Sequence, residues 1–271
     1  MFGFLFWNIA KRELSREIVD LVRENQVDVL MLAESTLDPQ GLAAALRAEC
    51  SDGYRYCPGL CKYIHIYSSL PDPNITVLRE GRRHTLRSFA FPDASSMTLG
   101  VVHLPSQREC NRDTLKGGCN DLAMEVCRVE DDVAKHRRTI LVGDFNLNPF
   151  DGGLVGARAL NAVMSREVAM QRERQHQSAR RRYFYNPTWN LLGDRDARLP
   201  GTFYRQDGND ECYYWNLLDQ VLLRPEVLDI FDHDSLRVVE TVGTIALAKP
   251  GGGVRKPSVS DHLPLFFRLM V

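Results

Sequence analysis

The strongest constraint on this chain is that residues able to bind metal or activate water sit directly against strand-like apolar runs. Thr139-Ile140-Leu141-Val142 leads into Gly143-Asp144-Phe145-Asn146, and Ser260-Asp261-His262 leads into Leu263-Pro264-Leu265-Phe266-Phe267. Short apolar runs of this length suit buried strands. Upstream, Phe6-Trp7 precedes Asn8, and Val29-Leu30-Met31-Leu32 precedes Ala33-Glu34-Ser35. Carboxylates, amides and imidazoles at strand ends are held on a rigid frame, so the pattern predicts a site on a sheet.

The first half of the chain alternates strands and helices. Phe2–Trp7 and Val27–Ala33 read as strands. Between them Leu14–Asn25 has apolar residues at helical spacing. Thr36–Cys50 reads as a helix, opened by Thr36 and Asp38-Pro39. Tyr63–Tyr67, Ile75–Leu78, Ser88–Phe91 and Met97–Leu104 read as strands, and Asn120–His136 as a helix feeding the strand Ile140–Val142. Further on, Leu154–Arg182 reads as one long helix or two, and Leu217–Leu223 and Leu263–Leu269 as strands. Lys249-Pro250-Gly251-Gly252-Gly253 reads as a flexible loop. Periodicity alone therefore gives a mixed α/β domain.

At 271 residues the chain can bury a large core. One domain, residues 1–271, is expected, because the strand-end residues of both halves are needed for one site. The net charge of −1 favours neither nucleic acid nor membrane, so any such preference must come from local patches. Seven scattered cysteines without a CxxC pair read as reduced intracellular thiols rather than a zinc cluster. Met1–Trp7 lacks the charged-then-apolar order of a signal peptide, and no run is long enough to span a bilayer. A soluble, cytoplasmic protein with no membrane partner is expected.

Asp144 and Asn146 lie two apart, so in an extended segment both point to one side. That suits aligning a water and holding a phosphoryl oxygen. An imidazole such as His262 suits a general base, or a donor to phosphoryl charge, near neutral pH.

Taken in order, Asn8, Glu34, His103 in Val101-Val102-His103-Leu104, Asp144 with Asn146, Asp219 in Leu218-Asp219-Gln220-Val221, and Asp261-His262 resemble the endonuclease/exonuclease/phosphatase superfamily. The resemblance spans residues 8 to 262. It implies an α/β fold of two packed β-sheets flanked by helices, a four-layer α/β/β/α sandwich, with the site at one edge. It also implies a divalent-metal-dependent phosphoesterase. Magnesium is the expected cofactor, with manganese able to substitute. Glu34 would be the metal ligand, with Asn8 ligating metal or holding Glu34, and Asp261 a further metal or water ligand. Asp144 would orient or activate the nucleophile. Asn146 would bind phosphate or a second metal, and His103 would donate to the scissile phosphate. Asp219 would fix the tautomer of His262. The remaining histidines, His65, His84, His136, His176 and His233, have no such context and read as structural.

The substrate is addressed by Arg166–Arg182, which carries six arginines against Glu167 and Glu173. Aromatics follow at Tyr183-Phe184-Tyr185, Trp189, Phe203-Tyr204 and Tyr213-Tyr214-Trp215. Guanidinium groups interleaved with rings suit nucleic acid, which marks Arg180, Arg181 and Arg182 as candidate substrate-binding residues. Subfamily marks are missing. Asn8 lacks a following glycine, Glu34 follows alanine rather than glutamine, and Phe145-Asn146 leads to Leu147-Asn148-Pro149 rather than Asn-Tyr-Arg. Three functions are open: a metal-dependent nuclease, which the basic-aromatic segment favours; a phosphatase or phosphodiesterase for a small or lipid phosphate; and a catalytically silent binding relative, against which the intact residue set argues.

Overall fold

The structure, a computed structural model, describes residues 1–71, 74–91, 94–193, 198–206, 213–248 and 259–271. The expected loop Lys249–Gly253 lies outside them. In chain order the first half contains β1 (Phe2–Asn8), α1 (Ser15–Asn25), β2 (Val29–Ala33), α2 (Pro39–Glu49), β3 (Arg55–Cys57), β4 (Ile64–Ser68), β5 (Ile75–Glu80), β6 (His84–Phe91), β7 (Ala94–His103), α3 (Arg112–Arg128) and β8 (Thr139–Asp144). The second half contains α4 (Gly152–Val155), β9 (Ala162–Val163), α5 (Arg166–Ala169), β10 (Glu173–His176), β11 (Ala179–Arg182), β12 (Phe184–Tyr185), β13 (Phe203–Tyr204), β14 (Trp215–Asn216), β15 (Asp219–Leu223), β16 (Phe231–Val238), β17 (Thr241–Val242), β18 (Ile245–Ala246) and β19 (Leu265–Leu269).

Two large sheets carry the architecture. One has the order β16-β19-β1-β2-β4-β3, the other β5-β6-β7-β8-β15-β12-β9. Their facing sides share one apolar core. Phe4, Met31, Ile66 and Phe267 of the first sheet belong to the same buried cluster as Phe89, Leu99, Val142 and Val221 of the second. Side chains alternate along a strand, so the intervening residues face outward. Leu5, Leu30 and Phe266 pack with Ile18 and Val22 of α1 and Leu42 and Leu46 of α2. On the far side Leu86, Val102, Leu141 and Leu222 pack with Leu115, Leu122 and Val126 of α3. Strands covered on both faces must be apolar throughout, which explains the continuous runs. Each fully buried large apolar side chain contributes roughly 1.5–3 kcal/mol. The fold is thus the four-layer α/β/β/α sandwich.

Helix boundaries follow from caps. Asp38 accepts from the backbone N–H groups of Gln40 and Gly41 at the start of α2, and Pro39 occupies its first position. Helix α1 closes on Gln26 in the left-handed conformation, φ 52°.

Two expectations need correction. The helix expected over Asn120–His136 begins instead at Arg112, capped by Asn111, which accepts from the Thr114 N–H; a π-helical turn, Val129–Val133, continues it. Gly117 and Gly118 argue against a helix by propensity, but the buried face of Leu115, Cys119, Leu122 and Val126 outweighs them. The second correction concerns Leu154–Arg182, which is not a long helix. It holds two single-turn helices, a short strand and the β10–β11 hairpin. Left-handed backbone at Asn161, Arg172 and Gln177 breaks it into turns.

The register sets the site. Strand β8 is flanked by β7, parallel, and β15, antiparallel. His103 pairs with Asp144, and Asp144 with Asp219, so all three lie in one transverse row. One residue back, Gly143 has φ 151°, and a Cβ there would overlap the Val102 carbonyl oxygen. Neither strain nor overlap can be relieved without moving β7, so Gly143→Ala should destabilise the protein by about 3 kcal/mol. Denaturant unfolding checks this; a variant as stable as the parent would show that β7 and β8 do not set the row.

Candidate active site

The ends of β7, β8 and β15 meet the ends of β1 and β2 at one edge of the sandwich. Asp144, 1% exposed, is the centre. Across the gap between the sheets, Asn8 Nδ2 donates to Asp144 Oδ2 at 3.0 Å. The other carboxylate oxygen, Oδ1, accepts from the Asn146 N–H at 2.8 Å. Asn8 is in turn fixed by the Ala10 N–H, which donates to its Oδ1 at 3.0 Å. Glu34 stands just past β2, next to the residue paired with Asn8. Its backbone is left-handed, φ 49°. Strain of this kind in a non-glycine residue persists only where the surroundings enforce it. His103 bridges the two acids: its Nε2 is 3.3 Å from Glu34 Oε1 and 3.8 Å from Asp144 Oδ2.

His262 approaches Asp144 from the opposite side, with Nε2 3.8 Å from Asp144 Oδ2. Its Nδ1 lies 2.8 Å from Asp219 Oδ2. Bonds to the flanking backbone fix the ring. The His262 N–H donates to Ser260 Oγ at 3.1 Å, and the Ser260 hydroxyl donates to the Asn8 carbonyl. Trp7 Nε1 donates to the His262 carbonyl at 2.9 Å, and Phe203 packs on the imidazole with centroids 4.8 Å apart. On Asp219, the backbone N–H donates to Thr202 Oγ1 at 3.1 Å, while Oδ1 is buried without a hydrogen-bond partner.

Burial and charge oppose each other here. Burial pushes the Asp144 carboxyl above the usual range, with His262 and His103 pulling it back. Burial would lower the His262 pKa, but the carboxylates of Asp219 and Asp144 outweigh it and raise the imidazole to about 10. Glu34 goes the other way. The neighbouring His103 holds its carboxyl at about 2, against a smaller desolvation penalty. At neutral pH the site therefore presents an ionised Glu34 and an imidazolium at His262, with Asp144 between them.

Asn8, Glu34, His103, Asp144 and His262 of this cluster form the floor of a cleft of about 560 Å³, which Asn146 and Asp261 also line. Asn146, with φ 51°, donates from Nδ2 to the Leu104 carbonyl at 2.9 Å. One wall comes from the segment before α3, with Arg108 and Arg112; the other from the β13–β14 ribbon, with Tyr204, Tyr213 and Tyr214. Sequence reasoning missed several supports. Asn148 accepts from the Leu217 N–H at 2.9 Å and donates to Asn216 Oδ1 at 2.8 Å, tying the loop after β8 to the start of β15. The bonds made by Ser260 and Thr202 were not foreseen because they reach segments distant in the chain. Arg108 and Arg112 were missed as well, because the helix that Arg112 opens was expected to begin at Asn120.

Asn8, Glu34, His103, Asp144, Asp219 and His262 are thus brought together, with Asn146 and Asp261 on the same cleft. Arg180, Arg181 and Arg182 are not. They lie on β11 and line a separate cavity of about 330 Å³ with Arg224. Arg180 pairs with Glu173 at 2.6 Å, and Arg182 pairs with Glu130 at 3.0 Å and Asp131 at 2.7 Å. Arg224 bonds the same buried Glu130 at 2.8 Å. Much of the basic charge in this stretch is therefore neutralised within the fold.

The donor set fits a hard divalent cation. Glu34 is ionised and its side chain is 30% exposed. Asn8 and Asp261 add oxygens on the same cleft, and oxygen donors of this kind suit magnesium or manganese. Burial destabilises the charged form of Asp144, and a nearby cation would offset that cost. A second grouping, Asp144, Asp219 and His262, has ligand atoms within 4.8 Å of one another. There the Asp219–His262 bond already occupies Nδ1.

No curated protein sequence is significantly similar to this one. Among solved structures, an AP endonuclease from Archaeoglobus fulgidus is 14% identical over 100% of both chains, with a TM-score of 0.59. The 3' phosphatase NExo from Neisseria, bound to product DNA hairpin, is 16% identical over 99% of both chains, with a TM-score of 0.57. D. rerio TDP2 complexed with single strand DNA product is 14% identical, covering 99% of this chain and 98% of its own, with a TM-score of 0.57. At these identities the likeness is one of fold. The sequence profile of the Endonuclease/Exonuclease/phosphatase family matches residues 5–262. The chain is therefore a member of that family of divalent-metal-dependent phosphoesterases, which includes nucleases and phosphatases.

Proposed function

We propose that this protein is a magnesium-dependent nuclease that hydrolyses phosphodiester bonds of nucleic acid. The observation that carries the reading is the convergence of Asn8, His103 and His262 on the buried Asp144, beside an ionised Glu34. NExo and TDP2, of the same fold, were captured with product DNA, which supports nucleic acid as the substrate class.

The chemistry divides among the side chains. Glu34, with Asn8 and Asp261, would hold the cation, which when bound supplies charge neutralisation for the phosphate and the leaving oxygen. Asp144 is oriented by Asn8 and by the Asn146 N–H, and burial moves its pKa toward the working pH. That suits it to align an attacking water and accept its proton. His262, kept protonated by Asp219, presents Nε2 as a cationic donor toward charge developing on the phosphoryl group. In this reading His262 is the donor rather than the base. Asn146 and His103 contribute polar groups to the same floor. Arg180, Arg181 and Arg182 take no part in it.

The direct test is incubation with single- and double-stranded DNA, RNA and a panel of phosphomonoesters, with magnesium or with excess chelator. Cleavage of polynucleotide that chelation abolishes is expected. Release of phosphate from monoesters alone would make the protein a phosphatase, and full activity in chelator would overturn the metal role. Glu34→Gln should cut the rate by roughly 10²-fold and weaken the response to added metal, read by metal titration.

Asp219→Asn removes the strongest carboxylate influence on His262. A donor is lost as pH rises through its pKa, so the alkaline limb of the rate profile, near 10 in the parent, should move to lower pH in Asp219→Asn. At neutral pH this variant should be milder than His262→Ala, which should lose about 10²–10⁴-fold. Combining the two should be far from additive; full additivity would separate the pair.

Glu34 gives a test without turnover. With its carboxyl held at about 2, its pairing stabilises the fold above the ordinary glutamate range, and that contribution fades as pH falls toward about 2. In His103→Ala the Glu34 carboxyl should titrate at higher pH, as followed by NMR. An unchanged titration would remove His103 as the cause.

A further inference from the structure

The rim of the cleft carries exposed rings that the hydrolytic chemistry does not use. Phe150, Tyr213 and Tyr214 are 39%, 51% and 44% exposed, and among the described residues no other phenylalanine, tyrosine or tryptophan is exposed to that degree. All three fall in one neighbourhood. Phe150 lies in the loop that follows Asp144 and Asn146, with its ring 5.5 Å from Tyr213 and 6.3 Å from Trp189. Tyr214 lies 6.3 Å from Tyr204 at an interplanar angle of 18°. Tyr213 and Tyr214 immediately precede β14 and both line the cleft, with left-handed backbone at Tyr214, φ 54°. The Arg205 N–H donates to the Tyr214 carbonyl at 2.7 Å and helps hold that conformation.

Exposed rings gathered at one place mark a binding surface. Such rings suit a ligand with flat apolar faces, and Arg108, Arg112 and Arg205 on the same cleft suit one that also carries phosphates. Of the acids on the cleft, Glu109 is paired with Arg83 at 2.5 Å, and Glu34, Asp144 and Asp261 belong to the candidate metal site. A lone phosphate has no face to stack. A continuous duplex has faces, but hides them within its own stack. An unpaired polynucleotide offers both features, repeated along its length.

We propose, resting on the nuclease reading above, that the substrate is engaged as a single strand, with unpaired bases stacked on the Phe150–Tyr213 and Tyr204–Tyr214 rings while phosphates follow the arginines to Asp144. The rings hold the strand and take no part in bond cleavage. Strands of DNA and RNA share this chemistry.

The test is binding measured with chelator present, so that cleavage does not intrude. The probes are a short single-stranded oligodeoxynucleotide, the matching oligoribonucleotide, a blunt duplex of the same sequence, and a strand of equal length built from abasic sugars. The parent should bind one or both base-bearing strands more tightly than the abasic strand and the duplex. The stronger of the two identifies the preferred sugar. Phe150→Ala with Tyr213→Ala should weaken the base-bearing strand by roughly 10–100-fold, from base–ring stacking of about 1–3 kcal/mol per base. Binding of the abasic strand should not change. Phe150→Trp with Tyr213→Trp, which keeps the rings, should restore binding. Equal weakening of abasic and base-bearing strands, or none of either, would overturn the proposal. A protein that stacks bases but cleaves no phosphoester would retain this inference and lose the nuclease reading. One that cleaves single strands while indifferent to these substitutions would do the reverse.

Discussion

The structure depends on one buried carboxylate. Asp144 ends the central strand β8 at 1% exposure, where an ionised group is costly unless it is hydrogen-bonded. Its two oxygens are satisfied from different places: Oδ2 by Asn8 of the opposite sheet, Oδ1 by the backbone two residues on. The Asn8 bond crosses the sandwich, so the spacing of the two sheets at this edge and the position of the acid are one fact. His103 and Asp219 take their places from the register of the strands on either side, and Glu34 takes its place from the pairing of β1 with β2. The positions of these groups are consequences of strand pairing rather than of loops.

The cleft walls are built differently. The segment before α3, the turn after β8 and the β13–β14 ribbon contribute arginines, amides and rings. Loops tolerate change more readily than strands. The frame therefore holds the buried polar groups around Asp144, and the walls shape the cleft above them.

This division explains what could be read from the sequence. Asn8, Glu34, Asp144 and His262 stand out because each adjoins an apolar run, while His103 and Asp219, inside the runs Met97–Leu104 and Leu217–Leu223, are marked by the family resemblance. The middle segment, read as a helix, folds instead into turns and a hairpin, and its arginines are tied down within the fold. Their spacing and number suggest a basic helix, but Glu130, distant in the chain and 1% exposed, binds both Arg182 and Arg224. No local pattern reports that an acid lies beneath. Helix α3 was misplaced because Gly117 and Gly118 weaken its local signal, while the packing that overrides them is tertiary. Ser260, Thr202 and Asn148 gave no signal, since each acts through a bond to a segment remote in sequence.

The pairing of β1 with β19 has a further implication for when the protein becomes active. The first strand lies between β19 and β2, and His262 stands three residues before β19. While the chain is being synthesised, β1 leaves the ribosome long before β19 exists, and that edge of β1 stays unpaired until β19 follows. Until then Asn8 and His262 cannot both stand beside Asp144. The cluster around Asp144 therefore closes only after β19 has been made, and translation products cut off before it lack that arrangement.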